Sequence, residues 1–173
     1  NRHFKEIEWS DARIAALDAL GRKDEAQTLR LSLFERHLSA RHLKAYLKQL
    51  TDFDDVEAEG AALDRVERTD NVHAALAFLI NWPALDRAAR LVEDRVAEID
   101  GDLYELLDPA ATVLEGKHPL ASVLLRRRLI DVTLQKAKST RYRHAVRHVR
   151  EIESQQSDIT DYGRHESHAD FVA

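Results

Sequence analysis

The chain of 173 residues contains no cysteine. That absence excludes disulfides, thiol nucleophiles and thiolate metal sites together, and it fits a cytoplasmic protein. Glycine (five) and proline (three) are scarce. A sheet protein of this length needs more turn residues, so the scarcity favours long helices with short links. No apolar run reaches the length of a membrane span, and the N-terminus does not read as a signal peptide. P-loop, GxGxxG and GxSxG signatures are missing, and no serine sits in a nucleophile setting. We therefore expect no enzyme and no cofactor.

What is present is helix-forming. The chain is 44% hydrophobic and 33% charged, a balance that suits a folded domain with its own core. Apolar residues recur at helical spacing almost throughout, and strand alternation is nearly absent. Ser10 reads as the cap of a first helix, and Gly21 as its stop. A second helix opens at Asp24 and Glu25, and Ser39 caps a third. A fourth opens at Asp54, with Phe53 placed to pack back as a staple. Asp70 opens a fifth, and Pro83 sits in the first turn of a sixth. Pro109 should kink or restart the seventh. Pro119 opens the eighth, which reads as the longest, to about Ala137. It is apolar nearly all round from Leu120 to Leu125, as a central helix would be. Tyr142, Ala145, Val146, Val149 and Ile152 define a ninth. Trp9 and Trp82 read as packing between helices.

In the first four helix pairs the second helix carries a small residue near its start, Ala26, Ala58, Ala89 and Ala121, separated by 32, 31 and 32 positions; the fifth pair breaks the spacing. A period near thirty, built of helix–turn–helix pairs, marks an α-solenoid. The stretch "LGRKDEA" resembles the hairpin turn of a tetratricopeptide repeat. The aromatic usual in its first helix and the proline ending its second are not in place. More broadly, "RHFKEIEWSDARIAALDALGRKDEAQTLRLSLFERHLSARHLKAYLKQL", and further on "AALAFLINWPALDRAARLV" and "HPLASVLLRRRLID", resemble a bacterial family of uncharacterised proteins annotated with a domain of unknown function. That resemblance implies helical repeats and no established activity. The expected fold is all-α: antiparallel pairs stacked as a short, right-handed, tetratricopeptide-like solenoid, with residues 1–173 as one helical-repeat domain. The chain starts at Asn1 rather than Met and stops inside an expected helix, so we expect a piece of a longer protein.

The net charge of −5 hides a segregation. Residues 52–70 hold eight acids against two bases, and residues 117–150 hold ten bases against one acid. Arg143, Arg147 and Arg150 share one face of the ninth helix. Such a stripe suits an acidic protein or peptide, or less readily a nucleic acid; the plainer alternative is a solvated face. Arg126, Arg127 and Arg128 are not one patch, because successive residues lie about 100° apart on a helix. We expect at least one to pair with a carboxylate such as Asp131. His144, His148 and Glu151 have a spacing that can ligate a metal, with His165, His168 and Asp161 as conceivable partners. The adjacent arginines oppose a divalent ion, and we expect no metal. The acidic run "TDFDDVEAEG" reads as caps and first-turn charges. The expected role is a non-enzymatic interaction module using Arg143, Arg147, Arg150, His144 and His148, without membrane contact and with dimerisation through a solenoid end left open.

Overall fold

Gly21 shows how the local chemistry of the chain ends a helix. Its φ of +71° lies in the left-handed region, which costs glycine nothing. The Arg22 amide donates to the Leu17 carbonyl (2.9 Å) and the Gly21 amide to Asp18 (3.1 Å). This pair of bonds is a Schellman closure, and it lets the next helix begin within two residues. A computed structural model describes residues 2–136 and 142–173, with side chains from residue 6 onward. Lys138, Ser139, Arg141 and the expected helix end near Ala137 lie outside the described residues. Among the described residues there are ten α-helices and no strand.

The chain divides into two compact units, Asn1–Thr69 and Asp70–Ala173. The first holds α1 (Arg2–Ala19), α2 (Lys23–His37), α3 (Ala40–Leu47) and α4 (Asp54–Glu67). Each packs on its sequence neighbour. Ile14 and Leu17 of α1 meet Ala26 and Leu33 of α2 in one core. Ala26 is fully buried, and its lack of bulk lets the two backbones approach. α1 begins well before Ser10, because "RHFKEIEW" contains no breaker and is made of residues that a helix tolerates. Two expectations fail here. Phe53 is 89% exposed and staples nothing, and Trp9 is 77% exposed rather than packed between helices. The acidic run does start a helix: Asp54, Asp55 and Glu57 lie in the first turn of α4. The Thr51 hydroxyl donates to Asp54 at 2.6 Å.

The second unit holds α5 (Val72–Asn81), α6 (Leu85–Arg95), α7 (Tyr104–Leu114), α8 (Pro119–Gln135), α9 (Tyr142–Gln155) and α10 (His168–Phe171). α5 pairs with α6, and α7 with α8; across the pairs, α5 also packs on α7 and α6 on α8. α8 touches α6, α7 and α9, and eleven of its seventeen residues are buried. It is central, as its all-round apolar start requires, though α1 is one residue longer. Each fully buried leucine here contributes about 1.5–3 kcal/mol of hydrophobic stabilisation. Pro109 does not restart α7; the helix runs through it to Leu114. The bond lost at Pro109 is one among many, and Leu107, Ala110, Ala111 and Leu114 are buried on either side of it.

Gly101 has a second role beyond ending a segment. A Cβ placed there would lie 2.0 Å from the Arg128 carbonyl oxygen, so only glycine lets α8 come this close. Arg128 returns the contact, donating from Nε to the Ile99 carbonyl at 2.9 Å.

Candidate binding site on the second unit

Three helices of the second unit bring a polar cluster together. α7 supplies Tyr104 and Asp108, one turn apart on one face, and Glu115 just past its end. α8 supplies Arg126, and α9 supplies Arg147, His148 and Glu151. Arg126 is only 1% exposed. Its Nη2 donates to Glu115 at 2.8 Å, its Nη1 donates to Glu151, and Asp108 lies 3.9 Å away. Arg147 donates to the Tyr104 hydroxyl (2.7 Å) and to Asp108 (3.0 Å). The Tyr104 hydroxyl donates in turn to the other Asp108 oxygen at 3.1 Å. Two guanidinium groups thus bind three carboxylates, which is how buried charge becomes tolerable.

His148 is buried beside them, with Nδ1 at 3.0 Å from Glu151. Burial pushes its pKa below the ordinary imidazole value, against the upward pull of Glu151 and Asp108. The Nδ1–H then donates to Glu151, and Nε2 has no hydrogen-bond partner among the described residues. Burial also pushes the Tyr104 phenol up, with help from Asp108.

Asp108, His148 and Glu151 place one ligand atom each within 4.8 Å of one another. These three could in principle surround a cation. Arg126 and Arg147 already hold the same carboxylates, and a divalent ion would have to displace or repel them. The donor set does not fit a metal.

Beside this cluster lies an open cavity of about 470 Å³, lined by Leu103, Tyr104, Leu106 and His144, with Asp102 and Glu105. The His144 ring meets Tyr104 edge-on, with centroids 5.6 Å apart. The helical pair His144 and His148 is therefore split: one lines a cavity, the other is in the core. Of the arginine stripe, Arg147 is fixed by Tyr104 and Asp108 while remaining 45% exposed along its side chain. Arg143 and Arg150 are exposed, and no ion pair ties either to a described residue. Of the apolar residues that define α9, Tyr142 and Val146 are exposed, whereas Ala145 and Ile152 are buried. His168 is buried and His165 lines a different cavity, so neither joins His148.

The first unit contains a trio of different type. The Ser39 hydroxyl lies 2.7 Å from His42 Nδ1, and His42 Nε2 lies 2.9 Å from Asp11. Burial raises the Asp11 pKa, but hydrogen bonds from Arg41 and His42 outweigh it and hold the carboxyl below its ordinary range. Arg41 takes the second Asp11 oxygen at 2.6 Å. The composition is that of a hydrolase triad, yet Arg41 already neutralises the carboxylate that would have to stabilise a charged imidazole. The trio clamps α1 to the start of α3.

The three arginines of α8 fan out as their spacing requires: Arg126 to α7 and α9, Arg127 to the C-terminal segment, Arg128 to Ile99 and, at 3.9 Å, Asp131. That Arg126 and Arg127 are buried was not expected from the spacing. The available signal was their position: arginines inside a helix with no wet side must meet acids from elsewhere.

A family model described as a family of unknown function, DUF6880, matches residues 1–173. No curated protein and no solved structure matches the chain. Matched from end to end, this all-helical chain with its buried arginine cluster belongs to the DUF6880 family, whose function is unknown.

Proposed function

We propose that the chain is a non-enzymatic interaction module, built from helix pairs stacked as in tetratricopeptide arrays, and that its second unit docks an acidic segment of a protein or peptide in the cleft between α7 and α9. The packing of α5 on α7 and of α6 on α8 supports the stacking, since it repeats one pair on the next. One observation carries the docking. Arg147 is held at 2.7 Å by Tyr104, a residue of the cavity wall, so a half-exposed positive charge is fixed beside an apolar recess. Fixing a long side chain in advance removes entropy that binding would otherwise cost. Leu103 and Leu106 receive an apolar anchor, and Arg143 and Arg147 receive the acids beside it.

A nucleic acid is the weaker reading. Phosphate tracking requires several cations in a row, and Asp102 and Glu105 interrupt the track here. The clamped trio of the first unit and the filled carboxylates of the second support a role without catalysis.

The experiment is fluorescence anisotropy against a panel of peptides that place Asp or Glu beside Leu or Phe, with duplex DNA and single-stranded RNA in parallel. Arg143→Glu, on an exposed position, should weaken the best peptide about tenfold, the loss of one charge-assisted contact. Tyr104→Phe should weaken it less, by freeing Arg147. Tighter, steeply salt-dependent binding of nucleic acid would overturn the reading, as would a panel with no binder.

A further inference from the structure

Phe53, 89% exposed, is the barest of the large apolar side chains among the described residues, and it stands at the start of α4. Val56 follows three positions on, on the same helical face, and is exposed as well. Acids surround both: residues 52–59 hold five acids and no base. Of these, Asp52, Asp54 and Glu57 are exposed and form no ion pair with a described residue. The helix dipole accounts for acids in the first turn of α4, but not for an aromatic ring left in water beside them. An exposed apolar pair rimmed by charge is the pattern of a surface that meets another surface. Because α4 presents it as a formed helical turn, docking has little left to order.

The α7–α9 cleft has the opposite make-up. Residues 136–150 hold six bases and no acid. Some of those charges are already matched: Lys136 pairs with Asp102 at 2.7 Å, and Arg147 with Asp108 at 3.0 Å. Counting these off leaves Arg143 and Arg150, both exposed on α9 and without an ion pair to a described residue. Glu105 on the α7 wall and Glu153 beyond Arg150 are exposed acids, likewise without an ion pair to a described residue. They confine an acidic occupant to the stretch of α9 from Arg143 to Arg150. Val146 neighbours both of these arginines on the helix surface and is exposed, as is Leu103 of the cavity wall. Accessible cations beside accessible apolar groups match the make-up of the α4 segment, charge for charge and apolar for apolar.

We propose that the segment from Asp52 to Glu57 of one copy docks in the α7–α9 cleft of a second copy, with Phe53 and Val56 against Leu103 and Val146 and the acids against Arg143 and Arg150. The inference rests on the reading of that cleft as an acidic-peptide site and names its occupant. Segment and cleft are different surfaces, so the contact is heterologous, and it either closes a ring or propagates as a filament of copies. The surfaces are small beside the ~1,600 Å² of a standard interface, so association belongs in the micromolar-to-millimolar range.

Sedimentation velocity of the whole chain from about 10 μM to about 1 mM tests the inference. The weight-average mass should rise with concentration and fall back in high salt. Phe53→Ser removes the anchor and leaves the cleft intact, whereas the double variant Arg143→Glu, Arg150→Glu spoils the cleft and leaves the segment intact. All three positions are exposed, so neither variant disturbs the core. Each variant alone should associate about tenfold or more weakly than the parent. An equimolar mixture should associate better than either variant and stop at two copies, because each pair holds one intact segment and one intact cleft. A parent that stays monomeric, association that survives both variants, or a mixture no better than its components would overturn the inference. Anisotropy with the peptide Leu50–Gly60 beside the other acidic peptides separates this inference from the reading it rests on. Binding of the other peptides with a monomeric parent sinks only the second copy as occupant, and no binding by any acidic peptide sinks both.

Discussion

In the first unit, most ionic links run along the surface between neighbouring helices; the exception is Arg30 of α2, which is buried and pairs with the partly exposed Asp18 of α1. Arg36 of α2 reaches Glu6 of α1 at 3.1 Å with both side chains about half exposed, and Arg41 of α3 reaches Asp11 at 2.6 Å. In the second unit the main link is interior: Arg126, almost wholly buried, gathers acids from α7 and α9. The contrast matters because exposed pairs contribute little, about 0.2–1 kcal/mol each, while a buried charge is costly unless every partner is in place. The first unit therefore rests mainly on its apolar core, Ile14, Leu17, Ala26 and Leu33. The second depends on apolar packing and on one polar arrangement being complete. Arg127 sharpens the contrast within α8 itself: it is buried to nearly the same degree as Arg126, but among the described residues no acid lies within ion-pair distance of it.

The largest way to test this difference is Arg126→Leu. It leaves Glu115, Glu151 and Asp108 without their shared cation and should cost about 3–5 kcal/mol in urea unfolding. Arg36→Leu in the first unit should cost less than about 1 kcal/mol. Equal losses would break the comparison. Next come two glycines. Gly101→Ala drives a Cβ into the backbone of α8 and should destabilise by about 1–3 kcal/mol or more. Gly60→Ala, inside α4 with nothing within 4 Å of the added methyl, should stabilise by about 0.5–1 kcal/mol. Thermal melts of both read the opposite signs.

Arg127→Met should stay within about 1 kcal/mol of the parent, because relief of an unpaired charge offsets lost ring contacts. A loss matching that of Arg126→Leu would show that Arg127 has a counterion within the protein. The smallest effect concerns pH. Burial lowers the His148 pKa in the folded state, so the unfolded chain takes up a proton more readily. The stability contributed by neutral His148 is complete above the unfolded value near 6.5 and is lost as pH falls from there toward the folded value. His148→Asn, which keeps a donor for Glu151, should flatten stability between pH 7 and pH 5 relative to the parent. Identical pH profiles would remove His148 from the account.

The helices themselves were readable because their causes are local. Gly21, Ser39, Asp54 and Pro119 act within one turn of their own position, and each marks a helix end close to where the structure has it. Ala26, Ala89 and Ala121, picked out by spacing alone, are buried where helices meet. The misreadings of Trp9 and Phe53 have one cause: an aromatic at the right spacing is buried only if another helix arrives to cover it. Pro109 was misjudged for the complementary reason, since packing on α8 outweighs one missing backbone bond.

The sequence by itself determined that the chain is helical, where most helices begin and end, that α8 is central, and that its three arginines point three ways. Only the tertiary structure decided which cations would be paired. Arg126 meets Glu151 across 25 positions, and Arg127 meets the Glu166 carbonyl across 39. Helical periodicity is set by bonds four residues long and so is written in any short window. The partner of a buried charge is set by which helices come to lie against one another, and no local pattern carries that information.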